Sequence, residues 1–346
     1  MTSTTTTPVT EDAERFLGHI ERADADAAID QALDLVREGW RVTGVVRDLL
    51  APAQRTVGER WAAGRYTVAH EHLVSGVVDD VLGLLAVHAP RPGPEHTLAL
   101  ACAEGEWHTT PARMAALCLR DAGWRVQFLG GSLPADHLAS TLAHLAPPAM
   151  AISCTLPLAL PGVATLADAA HDQQIPVVVG GAAVAATRRH VRLGADGGVG
   201  TVEEAVDLLR TWLDQPVELQ ATARDVDADL ERALLTSTRA HLLDHAYRRL
   251  EAELPQMAGY TERQRHHTRQ DLDYILQFVD VALAVEDTSL LTSFVGWLAD
   301  LLTARGVPPT VLERSLAVLR YVLPDEAPHA RGLLQAGIEE LRGRTG

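Results

Sequence analysis

The feature that most constrains the fold is an alternation of short apolar runs and helix-length amphipathic segments in the middle of the chain. The runs are Thr97–Ala101, Val126–Gly130, Met150–Cys154, Val177–Gly180 and a weaker one that ends at Val199. Amphipathic segments follow them near residues 110–122, 134–145, 160–172, 185–192 and 202–213. This alternation predicts a Rossmann-like, doubly wound parallel sheet over residues 95–215. Such sheets bind ligands at the carboxyl ends of their strands.

On both sides of this region, apolar residues recur at the three- and four-residue spacing of helices. The spacing predicts a bundle of four helices over residues 11–90, with breaks near Gly39 and Gly64. It also predicts an all-α domain over residues 222–346, with helices near 224–253, 261–285, 288–305, 309–322 and 326–342. The predicted fold class is therefore a multidomain α and α/β protein.

Composition argues against several functions. The formal net charge of −16 disfavours direct nucleic-acid binding, because phosphate contacts need a basic surface. The three cysteines, Cys102, Cys118 and Cys154, show no CxxC spacing, so neither a disulfide framework nor a zinc site is indicated. The polar N-terminus and the lack of a long apolar run predict a cytoplasmic protein without a membrane span.

The loop after the first predicted strand contains a candidate metal ligand, His108. Glu106, two residues earlier, can accept a hydrogen bond from one imidazole nitrogen and leave the other free for a metal. The alternative is an exposed polar pair. Ser153 and Thr155 follow the third strand, and Gly180-Gly181 end the fourth. These residues either leave room for a ligand tail or form ordinary strand-end turns.

Together, these residues resemble the cobalamin-binding domain shared by methionine synthase, corrinoid methyltransferase proteins and adenosylcobalamin light sensors. That family carries Asp/Glu-x-His-x-x-Gly, then Ser-x-Leu or Ser-x-Thr, then Gly-Gly. The resemblance implies that His108 is the lower axial ligand of cobalt. It also implies that Ser153 and Thr155 line the nucleotide-tail pocket and that Gly180-Gly181 lie against the tail.

The N-terminal bundle contains a second pattern, Trp61 followed by Glu71-His72. It resembles the upper-face motif of cobalamin-dependent light-sensing transcription repressors of the CarH type. The resemblance implies that Trp61 packs on an adenosyl group, with Glu71 and His72 beside it. The alternative places Trp61 in the bundle core and the other two on a solvated helix face.

Two positions depart from these patterns. Pro111 stands where the cobalamin-binding family usually has glycine; proline suits the first turn of a helix, but the path of the loop could differ. Ala62 stands where the repressors have a histidine that captures cobalt after photolysis, so His70, His72 or water would take that position. The repressors also begin with a helix-turn-helix domain. Only about ten residues precede the bundle here, so we expect no DNA-binding output.

The C-terminal region presents a polar and aromatic cluster. His267, Asp271 and Tyr274 would share one helix face, near Arg265, His266 and the later Trp297. This face suits a planar anionic ligand; the alternative is a hydrated surface with a core tyrosine. The region resembles globin-like sensory domains, and its fusion to a cobalamin module resembles photocobilins, which hold adenosylcobalamin and a bilin such as biliverdin. No cysteine lies beyond Cys154, so a bilin here would lack a thioether to this domain.

The sequence therefore predicts a non-enzymatic photoreceptor. Cleavage of the Co–C bond by light would change the packing of the bundle and signal through the C-terminal domain to a downstream protein or a second copy of the chain. Two alternatives remain open: a corrinoid methyl carrier of a methyltransferase system, and a cobalamin carrier without a light response.

Overall fold

The computed structural model describes residues 11–184, 189–222 and 225–345. The N-terminal part is helical, as predicted. Its elements are α1 (Glu11–Glu21), α2 (Ala25–Arg37), α3 (Val42–Val45), a π turn (Val46–Leu50), α4 (Ala51–Ala62) and α5 (Val68–His88). Since α3, the π turn and α4 run on without a break, they form one long helix, and the predicted bundle of four helices is confirmed. The predicted breaks occur at Gly39 and Gly64, whose φ angles of 97° and 68° end the preceding helices.

The π turn in the long helix has a local cause. Pro52 lies in the first turn of α4 and has no N–H to donate to the turn before it. Its ring would also crowd the carbonyl of residue 48 in a regular α-helix. A single wider turn over Val46–Leu50 relieves that contact, and such turns often occur at functional sites.

The middle of the chain forms the predicted parallel sheet, in the strand order β2-β1-β3-β4-β5. The strands are β1 (Thr97–Cys102), β2 (Arg125–Phe128), β3 (Met150–Ser153), β4 (Val177–Gly180) and β5 (Gly197–Val199). The intervening helices are α6 (Thr109–Asp121), α7 (Ala135–Leu145), α8 (Leu160–His171), α9 (Arg189–Arg192) and α10 (Val202–Asp214). Residues 185–188 of the predicted fourth helix lie outside the described residues. The order reverses between β1 and β3, where such sheets bind ligands.

Alternate residues of the strands face opposite layers. Ala101, Ile152 and Val179 pack with α7 and α8, whereas Leu100, Ala151 and Val178 pack with α6 and α10. The N-terminal bundle lies against α6, whose Met114, Leu117 and Cys118 belong to the core of the bundle. The bundle and the sheet thus share α6 as a common wall.

The C-terminal part is all-helical, as predicted. It consists of α11 (Val226–Glu253), α12 (Glu262–Ala284), α13 (Thr288–Ala304), α14 (Pro309–Val322) and α15 (Pro328–Thr345). Its apolar core continues into the α7–α8 side of the sheet. Arg189 of α9 pairs with Asp287 in the α12–α13 turn at 2.8 Å and fixes the same junction. Within the described ranges, no helix is both long enough and apolar enough to cross a membrane.

Candidate functional site

His108 lies at the N-terminus of α6, at the switch point of the sheet. Its Nδ1 lies 2.7 Å from Oε1 of Glu106, which also accepts the backbone N–H of His108 at 2.9 Å. The second carboxylate oxygen accepts the N–H groups of Thr155 and Leu156, which follow β3, at 2.9 and 2.8 Å. The Glu106 side chain is fully buried, while that of His108 is 56% exposed.

The ionisation of this pair follows from its contacts. Burial by itself raises the pKa of Glu106, but hydrogen bonds from His108, Leu156 and Thr155 outweigh it and hold that pKa below the usual value. An ionised carboxylate only accepts hydrogen bonds, so Nδ1 of His108 carries a proton, and in the neutral imidazole Nε2 presents a lone pair. The hydrogen bond to Glu106 raises the pKa of His108, and the charge of Glu71 adds to that rise. Glu71 of the bundle therefore lies within electrostatic range of the imidazole.

The loop that carries His108 is held by close backbone contacts. Ser132 accepts the N–H of Gly105 with its hydroxyl at 3.0 Å and donates its own N–H to the carbonyl of Glu106 at 2.8 Å. A Cβ on Gly162 of α8 would lie only 2.2 Å from the carbonyl oxygen of Glu104, so this helix packs directly on the loop. Pro111 falls in the first turn of α6, where an N–H has no partner within the helix, and α6 begins at Thr109 in spite of it.

A cavity of about 420 Å³ runs between α6 and the sheet, and α6 lines it from Pro111 onward, three residues after His108. Ser153, Gly180 and Gly181, the residues predicted to contact a nucleotide tail, line it at the carboxyl ends of β3 and β4. Leu100, Ala151 and Val178 form its floor. Thr155 is not among the described residues that line it; its backbone N–H binds Glu106, and its buried hydroxyl has no hydrogen-bond partner in the described part of the chain.

Gly181 is required by close packing. Its φ is 119°, and a Cβ there would lie 2.2 Å from the carbonyl oxygen of Cys154. Only glycine lets the turn after β4 approach the turn after β3 this closely. The Gly-Gly pair therefore shapes the mouth of the cavity by keeping it free of side chains.

The predicted upper-face residues lie at one end of the bundle. Trp61 is in the last turn of α4, and Glu71 and His72 are in the first turns of α5. Glu71 accepts the hydroxyl of Ser75 at 2.7 Å, while His72 is 74% exposed and lies 3.5 Å from Glu71. His70, by contrast, is engaged in the capping box of α5: its ring accepts the N–H of Thr67 at 3.2 Å.

Trp61 does not lie in the bundle core. Its ring stacks on that of Trp297 from α13, with centroids 6.2 Å apart and planes 14° apart. The ring centroids of Trp297 and Phe294 lie 6.0 Å apart, and Phe294 stacks on Phe278 of α12 with centroids 3.8 Å apart. A continuous row of aromatic rings thus joins the predicted upper face of the cofactor site to the core of the C-terminal part.

The other residues predicted for a bilin site are spread along α12. Asp271 is half-buried; burial raises the pKa of its carboxyl, against the opposing charges of His267 and Arg305. Tyr274 and Trp297 are 47% and 39% exposed. Arg265 pairs with Glu251 at 3.5 Å and donates to the carbonyl of Tyr260, and the exposed rings of His266 and His267 lie 6.0 Å apart.

The described residues fit a cobalamin. An imidazole with a free Nε2 and a carboxylate-bound Nδ1 is the donor that a cobalt ion takes as an axial ligand. The cavity beside it has a size typical of ligand pockets. His108 would hold the cobalt, Ser153 and the Gly-Gly pair would contact the nucleotide tail, and Trp61 and Glu71 would face the opposite side of the corrin ring.

Comparisons with known proteins agree with this fit. Residues 96–210 match the B12 binding domain family, and residues 12–86 match a second B12 binding domain family. Residues 12–210 therefore contain a B12-binding module. Residues 217–338 match the phycobilisome protein family.

Two relatives come from Myxococcus xanthus. The HTH-type transcriptional repressor CarH is 38% identical over 139 residues, which are 39% of this chain and 46% of the repressor. The HTH-type transcriptional repressor CarA is 27% identical over 202 residues, 58% of this chain and 67% of that one. The chain thus matches about half the length of CarH, and the module is CarH-like.

A solved structure shows the same fold. The monomethylamine corrinoid protein of Methanosarcina barkeri aligns with 58% of this chain and 98% of its own length, with a TM-score of 0.51 at 17% identity. The order of helical bundle and parallel sheet is thus shared with a corrinoid protein.

Several residues of the site escaped sequence reasoning. One wall of the 420 Å³ cavity is formed by residues of the long helix, Val46, Arg47 and Arg55. A second set joins α5 to α6: Asp79 binds Thr110 and Arg113 at 3.0 and 2.8 Å. For the residues of the long helix, the sequence signal is Pro52, which accounts for the π turn next to them. The second set has no local signal, because it depends on how α5 packs against α6.

Replacing Glu106 with alanine tests its structural role. Glu106→Ala removes a fully buried carboxylate that accepts three backbone N–H groups, and we expect the free energy of unfolding to fall by about 3 kcal/mol. Glu104→Ala, an exposed carboxylate in the same loop, should change it by less than about 0.5 kcal/mol. Urea titration followed by circular dichroism measures both; equal effects would contradict the assignment.

Proposed function

We propose that this protein is a light sensor that binds adenosylcobalamin between its bundle and its sheet. When bound, the cofactor supplies a cobalt–carbon bond that light can cleave. The support is the position of Trp61, which belongs to the predicted upper-face motif and also contacts Trp297 of the C-terminal part. The CarH-like character of the module supports the same function.

The residues have separate tasks in this proposal. His108 holds the lower face of the cobalt through Nε2, and Glu106 keeps Nδ1 protonated. Trp61 packs on the upper axial group and moves when that group leaves. His72 is 74% exposed, whereas the ring of His70 is engaged in the capping box of α5, so His72 takes the place of the histidine that Ala62 replaces. The signal then passes from Trp61 to Trp297 and into α12 and α13.

A corrinoid methyl carrier is the second candidate, since the fold is shared with a corrinoid protein. Trp61 and its contact with the C-terminal helices favour the light sensor, because a methyl group offers the Trp61 ring far less contact area than an adenosyl group. A methyl carrier would pass a methyl group from its corrinoid to a nucleophilic acceptor of a methyltransferase in the dark, and a light sensor would not.

The cofactor spectrum tests the light response. Protein loaded with adenosylcobalamin in the dark should bleach irreversibly under green light. His108→Ala should bind cobalamin without an imidazole below the cobalt, with a base-off spectrum, or lose it. A spectrum unchanged by illumination would exclude the light sensor, and an unaltered His108→Ala spectrum would remove the histidine from its role.

Trp297 provides a test of signal transfer. Trp297→Ala should still bind adenosylcobalamin and bleach in light, because the residues proposed to hold the cofactor, His108 and Trp61 among them, are all kept. It should remove the light-dependent change in amide hydrogen exchange of α12 and α13. Tyr321→Ala, at an exposed ring on α14, is the control and should keep that change. The route is wrong if both variants respond like the wild type.

The C-terminal part is proposed to hold a bilin without a thioether bond, as in photocobilins. Its match to the phycobilisome protein family and the exposed rings of Tyr274 and Trp297 support this. Asp271, half-buried and close to His267, would face the pyrrole N–H groups. The proposed light signal and the proposed bilin would then involve the same two helices, α12 and α13.

Absorption after expression with biliverdin tests this site. We expect a band at longer wavelength than those of cobalamin, and Asp271→Asn should shift or remove it, since the charge next to the pyrroles is lost. Asp300→Asn, an exposed carboxylate on α13, should leave the band in place. Protein that gains no band from biliverdin does not have this site.

A further inference from the structure

A second space adjoins the cavity lined by Ser153, Gly180 and Gly181, which we call the tail cavity. A cleft of about 710 Å³ lies between the start of the long bundle helix, the end of α6 and α10. Thr43, Arg47, Cys118, Val202 and Glu203 line both this cleft and the tail cavity. The two spaces therefore adjoin, and these five residues are the boundary between the tail cavity and the outer cleft.

The tail cavity and the outer cleft together extend along most of the length of α6. Pro111 lines the tail cavity in the first turn of α6, and Ala122 lines the cleft just after its last turn. At 1.5 Å of rise per residue, these positions are about 16 Å apart. The tail cavity, near Pro111, is lined by apolar residues of the sheet, whereas the outer cleft, near Ala122, is lined by charged side chains.

The outer cleft carries charges of both signs. Arg41, Arg47 and Arg210 line it together with Asp121, Glu203 and Asp207. Asp121 is buried and is bound by the hydroxyl of Thr43 at 2.6 Å and by Arg41 at 3.1 Å. Since the three positive and three negative side chains balance, the cleft does not select a ligand by its net charge.

Cys118 stands where the two spaces meet. Its side chain is nearly buried and belongs to the core that the bundle shares with α6. Burial raises the pKa of its thiol to about 12, so it is a neutral wall and not a nucleophile. Val202, half-buried at the start of α10, lines both spaces as well.

We propose that the nucleotide-tail pocket is open at its far end, and that the module therefore binds cobamides whose lower base is longer than dimethylbenzimidazole. The added part of the base extends past Cys118 and Val202 into the charged cleft. Cys118 sets the width of the passage and is thus a residue that determines specificity for the base. The inference rests on cobalamin binding by the module and is independent of the light response.

Binding in the dark tests this with three adenosylated corrinoids: cobalamin, the cobamide whose base is naphthimidazole, one ring longer, and cobinamide, which lacks the nucleotide tail. Isothermal titration calorimetry on the full chain gives each Kd, and the absorption spectrum reports the lower ligand. We expect cobalamin and the longer cobamide to bind within about threefold of each other, and cobinamide about tenfold or more weakly.

Closing the passage should separate the two tailed corrinoids. Cys118→Phe should weaken the longer cobamide at least about tenfold more than cobalamin, because the added ring loses its space. Cys118→Ser, of nearly equal volume, should keep the wild-type ratio. Should Cys118→Phe fail to fold, Val202→Phe at a less buried position of the same passage should change the ratio in the same direction.

The possible results are distinct. A wild-type Kd about thirtyfold higher for the longer cobamide would overturn the open pocket, as would an unchanged ratio in a folded Cys118→Phe or Val202→Phe protein. Failure of cobalamin itself to bind would overturn both this inference and the proposed function. Tight binding of all tailed corrinoids without bleaching in light would leave the inference standing and remove only the light sensor.

Discussion

The fully buried carboxylate of Glu106 links the two strand ends between which the sheet order reverses. It accepts two hydrogen bonds from His108 after β1 and one each from Thr155 and Leu156 after β3. A buried carboxylate is stable only when its oxygens are satisfied in this way. Its contacts fix the spacing of the two loops and, with the same atoms, the tautomer of the candidate cobalt ligand. The shape of the site and the chemistry of the histidine therefore depend on one side chain.

The second constraint is that the N-terminal bundle contacts both other parts of the protein, the sheet through α6 and the C-terminal helices through Trp61. α6 supplies a wall to both the bundle and the sheet, so movement of the bundle bears on the helix that begins at His108. The row of rings that starts at Trp61 extends the connection to Trp297 and α12. Packed interiors transmit displacement because they contain little free volume. A change on the upper face can thus reach the C-terminal helices through contacts that already exist.

Much of this architecture could be predicted from local pattern. The observed strands lie within about two residues of the predicted ones, because strands buried on both faces appear as bounded apolar runs. His108, Glu106 and Gly181 could be found because each needs a specific residue type next to a strand end. Local sequence pattern could not predict the bundle wall of the tail cavity or the stacking of Trp61 on Trp297, since these contacts join residues far apart in the chain. Thr155 shows the limit within a motif: it was predicted to line the nucleotide-tail pocket, but its backbone N–H binds Glu106 and it is not among the described residues that line the cavity.

The apolar core that runs from the sheet into the last helices has a thermodynamic consequence. Residues such as Ile152 and Val179 of the sheet are buried in the same cluster as Leu291 of α13 and Leu334 of α15. Removing the C-terminal helices would uncover a broad apolar face on α8 and destabilise what remains. Heating should accordingly melt the sheet and the C-terminal helices as one cooperative unit. The helices proposed to receive the signal are in this sense part of the same folding unit as the sheet of the B12-binding module, and not an appendage on a flexible tether.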